Sequence, residues 1–93
     1  MNKHLIVFTM EGCPYCYEFK DKLRNENIDF IDMDINENEE EYEMFMKIVD
    51  NDLVPAFMVV DEDGGPSTFM APDRDYEDLD TAIHKVKSVL FDI

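Results

Sequence analysis

The chain has 93 residues, 23 of them acidic and 8 basic, for a formal net charge of −15 and an apolar content of 45%. That length supports one small core, a single domain over 1–93. The charge excludes nucleic acid as a natural ligand. No stretch approaches the roughly 20 apolar residues that span a bilayer, and the N-terminus lacks a basic region leading into a long apolar segment, so the expectation is a soluble, cytoplasmic monomer with no membrane partner.

Leu5 to Thr9 is a short apolar run of strand type. It leads into Cys13-Pro14-Tyr15-Cys16, which holds both of the chain's cysteines. Pro14 to Asn27 then carries Phe19 and Leu23 at helical spacing. The cysteines therefore fall where a strand passes into a helix. Two cysteines separated by two residues can close a small disulfide ring, and the helix start exposes one sulfur to unpaired backbone N–H groups. A redox dithiol is the leading reading, with Cys13 the expected thiolate. Zinc would need four ligands, and the spacing of His4 and His84 brings neither to the pair, so no metal is expected. A structural disulfide is a weak alternative, because so short a ring removes little entropy from the unfolded chain.

Ile28 to Ile35 reads as a second strand, with alternation at Ile31, Met33 and Ile35, parallel to the first and connected in the right-handed sense. Asn36 is placed to cap a second helix in which Tyr42, Phe45, Met46 and Val49 recur every three or four residues. Val54 to Val60 is near-continuously apolar and reads as a strand buried on both faces. Asp63-Gly64-Gly65 signals a hairpin turn, with Ser67 to Ala71 returning antiparallel. Finally Tyr76, Leu79, Ile83, Val86 and Leu90 follow helical spacing, with Asp73 or Asp75 as expected caps. The order is βαβαββα, an α/β fold with a four-stranded mixed sheet flanked by three helices. It leaves the dithiol at the carboxyl end of the first strand, the usual place for a site in an open α/β sheet. The acidic residues concentrate in Asp32 to Glu43, Asp61 to Asp63 and Asp73 to Asp80, which read mostly as solvated faces and turns that confer solubility; the functional alternative is a field that repels anions and favours basic partner surfaces.

With these motifs the chain resembles a glutaredoxin of the thioredoxin-like superfamily over nearly its full length. Cys13-Pro14-Tyr15-Cys16 has the family's dithiol form, Lys20 matches a basic position common in it, and Val54-Pro55 falls where the family has a Val-Pro pair with a cis proline. The resemblance implies a dithiol–disulfide oxidoreductase in which Cys13 attacks and Cys16 or an external thiol resolves the mixed disulfide. Pro14 would restrain the turn, and Tyr15 would contact substrate. The cis proline would present the Val54 backbone to an extended peptide or to glutathione. No cofactor is bound permanently; glutathione is the expected cosubstrate, and disulfide-containing proteins, ribonucleotide reductase among them, are expected partners.

The chain also departs from the family pattern. Met10 stands where a lysine is common, Glu11 brings a negative charge toward Cys13, and Asp50, Asn51, Asp52 and Leu53 replace residues that would receive a glutathione carboxylate. The usual paired glycines before the last helix are replaced by Met70 to Asp75. Asp73 or Asp75 could still accept from the γ-glutamyl ammonium, and Arg74 could offset a carboxylate. Ala71-Pro72-Asp73 partly resembles the Arg-Pro-Asp stretch of glutaredoxin-like redoxins that are recharged by thioredoxin reductase and serve ribonucleotide reductases. That keeps a glutathione-independent alternative open. An iron–sulfur carrier is a third reading, against which the proline-containing dithiol argues. Small size, acidity and the altered glutathione site fit a viral member acting in host cytoplasm.

Overall fold

The computed structural model describes residues 3–62 and 65–91. Its elements are β1 (Lys3–Thr9), α1 (Pro14–Asn25), β2 (Ile31–Asp34), α2 (Glu39–Val49), β3 (Ala56–Asp61), β4 (Gly65–Met70) and α3 (Leu79–Phe91). The sheet order is β2-β1-β3-β4. β1 runs parallel to β2, with Ile6 opposite Ile31 and Phe8 opposite Met33, and antiparallel to β3, with Val7 opposite Phe57. β3 and β4 are antiparallel, so the expected mixed sheet is present. Of the expected hairpin turn, Asp63 and Gly64 lie outside the described residues.

Strand periodicity splits the core into two layers. Leu5, Val7, Phe57 and Val59 join Phe19 and Leu23 of α1 and Ala82, Ile83 and Val86 of α3. Their neighbours Phe8 and Ala56 join Tyr42, Phe45 and Val49 of α2, with Met33, Ile35 and Met46 packed against them. Inserted ring contacts tie each layer together: Phe19 stacks on Phe57 with centroids 5.5 Å apart, and Phe8 meets Phe45 at 4.9 Å. Helices thus cover both faces of the sheet, and β1 and β3 form its buried centre. Among the described residues no helix is long and apolar enough to cross a membrane.

Four local expectations are corrected. The second helix starts after Asn38, not Asn36; the Asn36 backbone instead donates to the Asp34 carboxylate at 2.8 Å, making a turn that delays the helix. Glu39, Glu40 and Glu41 then occupy its first turn, where negative charge suits the helix dipole. Ile31 is exposed, because β2 is an edge strand. The last helix starts at Leu79, so Tyr76 precedes it, in a short bridge with Pro72. Its cap is neither Asp73 nor Asp75 but Asp78, whose carboxylate accepts from Thr81 N at 2.7 Å.

Candidate redox site

Cys13 is the N-cap of α1, and Pro14 opens the helix at a position where its missing N–H is no loss. The Cys13 sulfur accepts the Cys16 backbone N–H at 3.2 Å, in the way a serine or aspartate oxygen caps a helix. The chain enters this turn through Gly12, whose φ of +80° is unfavourable for any side-chain-bearing residue. Gly12 N–H donates to the Tyr17 hydroxyl at 3.1 Å, tying the approach to the helix it feeds. Both thiols are free, Cys13 7% exposed and Cys16 fully buried.

The two sulfurs differ in environment. Burial pushes the Cys16 thiol up to about 12; its hydrogen bond with Cys13 and the charge there push the same way, while a backbone hydrogen bond to Met10 and the Lys20 ammonium oppose them. Cys16 therefore keeps its proton at neutral pH. Lys20 Nζ is held 2.8 Å from Asp32 of β2 and lies 5.4 Å from the centre of the Tyr17 ring. Thr9, at the end of β1, donates to the other Asp32 oxygen at 2.6 Å. Burial acts to raise the Asp32 carboxyl, but the hydrogen bonds from Lys20 and Thr9, with the Lys20 and Arg24 charges, outweigh it and hold the carboxyl below the usual carboxylate range.

A groove of about 560 Å³ begins at Tyr15, between the two cysteines, and runs past Leu53, Val54 and Pro55 to the start of α3. The Val54-Pro55 bond is cis, as expected. Tyr76, 6% exposed, donates its hydroxyl to the Pro55 carbonyl and stacks on Phe57 at 5.9 Å. Burial raises its phenol, and the charges at Cys16, Cys13, Asp73 and Asp75 add to the effect. Asn51 braces the same segment: its amide donates to Pro72 O, and its side-chain oxygen accepts from Leu53 N, both at 2.8 Å.

Of the predicted site residues, the structure brings Tyr15, Val54, Pro55 and Asp73 to the groove, with Cys13, Pro14 and Cys16 on the adjoining turn. Arg74 and Asp75 do not line it. They pair with each other at 2.6 Å, and Asp75 also accepts from Ala71 N at 2.9 Å, so the cation expected to offset a ligand carboxylate is spent within its own loop. Sequence reasoning missed Tyr76 and Asn51 as supports of the groove. Tyr76 fits the helical spacing of α3 too well to stand out, and Asn51 carries no motif.

A redox-type dithiol at a helix start, a cis proline in the groove that Tyr15 of the dithiol turn also lines, and a four-stranded mixed sheet with helices on both faces define a protein of the thioredoxin-like fold. The glutaredoxin family model matches residues 5–63, a span that includes Cys13, Cys16 and Val54-Pro55 and stops before the 73–76 loop. The chain belongs to the glutaredoxin family. It is also similar to the Gene 56 protein of Mycobacterium phage L5, at 35% identity over 68 residues; the match covers 73% of this chain and 64% of that relative, somewhat under two thirds of its length.

Proposed function

We propose that the protein is a dithiol–disulfide oxidoreductase acting on protein disulfides. The observation that carries this is the asymmetry of the pair: the Cys13 sulfur caps the helix on the turn next to the groove-lining Tyr15 and is 7% exposed, whereas Cys16 is fully buried and keeps its proton. Cys13, as thiolate, attacks one sulfur of the substrate disulfide; a Cys13–substrate bond forms, the substrate's own S–S bond breaks, and the departing thiolate takes a proton. In that mixed disulfide the Cys13 sulfur carries no charge, so the influences of Cys13 that raise the Cys16 thiol are removed. Cys16 then attacks Cys13; the Cys13–Cys16 bond forms, the Cys13–substrate bond breaks, and the Cys16 proton ends on the departing second substrate thiol. Two electrons pass to the substrate, and the protein is left with a Cys13–Cys16 disulfide.

Family membership supports glutathione as the donor that reduces this disulfide. Glutathione would pair with the Val54 backbone and offer its ammonium to Asp73. A specific observation favours a second reading, in which thioredoxin reductase recharges the protein: among the described residues Lys22 is the one cation lining the groove, and it is paired with Asp80 at 3.1 Å rather than free for glutathione's carboxylates. Ribonucleotide reductase is a candidate client under either reading. The test is whether millimolar glutathione alone sustains turnover of a glutathione mixed disulfide. Turnover establishes glutathione as donor; failure, together with reduction by NADPH and thioredoxin reductase, establishes the second reading.

A further inference from the structure

The groove is acidic along the side formed by α1 and the start of α3. Glu18, Asp73, Glu77, Asp78 and Asp80 line it, against Lys22 alone. Lys22 pairs with Asp80, and the Asp78 carboxylate is engaged by Thr81 N. Among the described residues no hydrogen bond or ion pair reaches the carboxylates of Glu18, Asp73 or Glu77. Apolar surface lies beside this charge: Tyr15 is 66% and Leu53 43% exposed. Among the described residues no backbone–backbone hydrogen bond outside the helices and sheet engages Val54.

We propose that this groove selects an extended, disulfide-bearing protein segment with lysine or arginine close to the attacked half-cystine. The inference rests on the redox reading and names its substrate class. A chain whose sulfur sits at Cys13 must pass Tyr15, and from there the groove leads between the Val54 backbone and the acidic wall. The free backbone groups suit an extended strand. Tyr15 and Leu53 cover the stems of long side chains, and the three unpaired carboxylates receive their charged ends. An acidic segment meets the same carboxylates, offset only in part by Lys22, which pairs with Asp80 and feels the Glu18 charge. The contrast lies in charge placed within the groove, beyond the long-range field of a chain whose net charge is −15. Each turnover moves two electrons from Cys13 and Cys16 to the segment's disulfide, with one proton from the Cys16 thiol and one from solvent because Cys13 starts as thiolate, so no further reductant enters a single turnover.

The test uses pre-reduced protein and two synthetic peptides of equal length, each closed by one intramolecular disulfide, one flanked by lysines and the other by glutamates. The rate constant for a single oxidation of the protein is read by acid quench and mass spectrometry. Preference for the lysine peptide should be about tenfold or more at low salt and should shrink in about 1 M salt. In the groove variant Glu18→Gln/Asp73→Asn/Glu77→Gln most of the preference should vanish. It should survive in Glu37→Gln/Glu40→Gln/Glu41→Gln, which removes equal charge from positions that do not line the groove. All six side chains are exposed, and a Glu18→Gln/Glu77→Gln double variant repeats the test without touching the left-handed Asp73. Equal rates for the two peptides, or equal loss of preference in the two triple variants, overturns the inference and leaves the redox reading standing. Reaction with neither peptide overturns both.

Discussion

Tyr76 donates a hydrogen bond from its hydroxyl to the carbonyl of Pro55, the cis proline of the groove, although the two residues are 21 positions apart in the chain. The bond links the loop before α3 to the Val54-Pro55 segment that leads into β3, in a place closed to water. Tyr42, on the other side of the sheet, presents the opposite case: its buried hydroxyl has no hydrogen-bond partner among the described residues.

The two tyrosines should therefore respond in opposite directions to loss of the hydroxyl. Tyr76→Phe strands a buried carbonyl and is expected to cost about 1–3 kcal/mol in denaturant unfolding at neutral pH. Tyr42→Phe removes an unsatisfied group and should leave stability unchanged or raise it by up to about 1 kcal/mol. Because the folded-state phenol of Tyr76 is raised above its ordinary value of 10.0, its contribution is complete below pH 10 and declines at higher pH. The difference between wild type and Tyr76→Phe should narrow there.

Lys20 acts on both stability and chemistry. Asp32 has a folded-state carboxyl held below its ordinary 3.8, so this contribution is present above that value and is lost as pH falls through and below it. Lys20→Met should lower stability at neutral pH by less than about 1 kcal/mol, since the Asp32 side chain is 40% exposed, and the loss should disappear in acid. The same change removes a cation that pulls the Cys16 thiol down, so closure of a preformed Cys13 mixed disulfide should shift to higher pH. Stopped-flow measurement of closure across pH reads this directly, and a simple structural defect would not move that profile.

Asp78 is the cap that sequence reading passed over. The hydrogen bond from Thr81 N lowers its carboxyl, so its contribution is present above the ordinary 3.8 and fades in acid. Asp78→Ala should lower the melting temperature at neutral pH, Asp78→Asn should lower it less, and neither Asp73→Asn nor Asp75→Asn should mimic loss of the cap at α3 as followed by helical circular dichroism.

The element order was legible because the central strands read as continuous apolar runs, Leu5 to Thr9 and Val54 to Val60, the edge strand as alternation at Ile31, Met33 and Ile35, and the helices as spacing close to four in Phe19 with Leu23 and in Tyr42 with Phe45 and Val49. The dithiol and the cis Val54-Pro55 bond were legible as short motifs. What escaped was choice among equivalent neighbours. Asp73, Asp75 and Asp78 are equally good caps on paper, and only the position of Thr81 relative to the first helical turn selects Asp78. Tyr76 keeps helical spacing with Leu79 yet lies outside the helix, because its backbone bridges to Pro72 and its hydroxyl reaches Pro55. Arg74 looked free in sequence, where its pairing with the adjacent Asp75 is one of many possibilities for an exposed cation.

The central proposal is that Cys13 attacks and Cys16 resolves, and covalent trapping tests it most directly. Cys16→Ser and Cys13→Ser variants, reduced and mixed with a peptide dimer joined by one intermolecular disulfide, are examined by intact-mass spectrometry. The account predicts a stable adduct of half the peptide dimer on Cys13 in Cys16→Ser and none on Cys16 in Cys13→Ser at neutral pH. An adduct in Cys13→Ser with none in Cys16→Ser would reverse the roles of the two sulfurs and contradict the account.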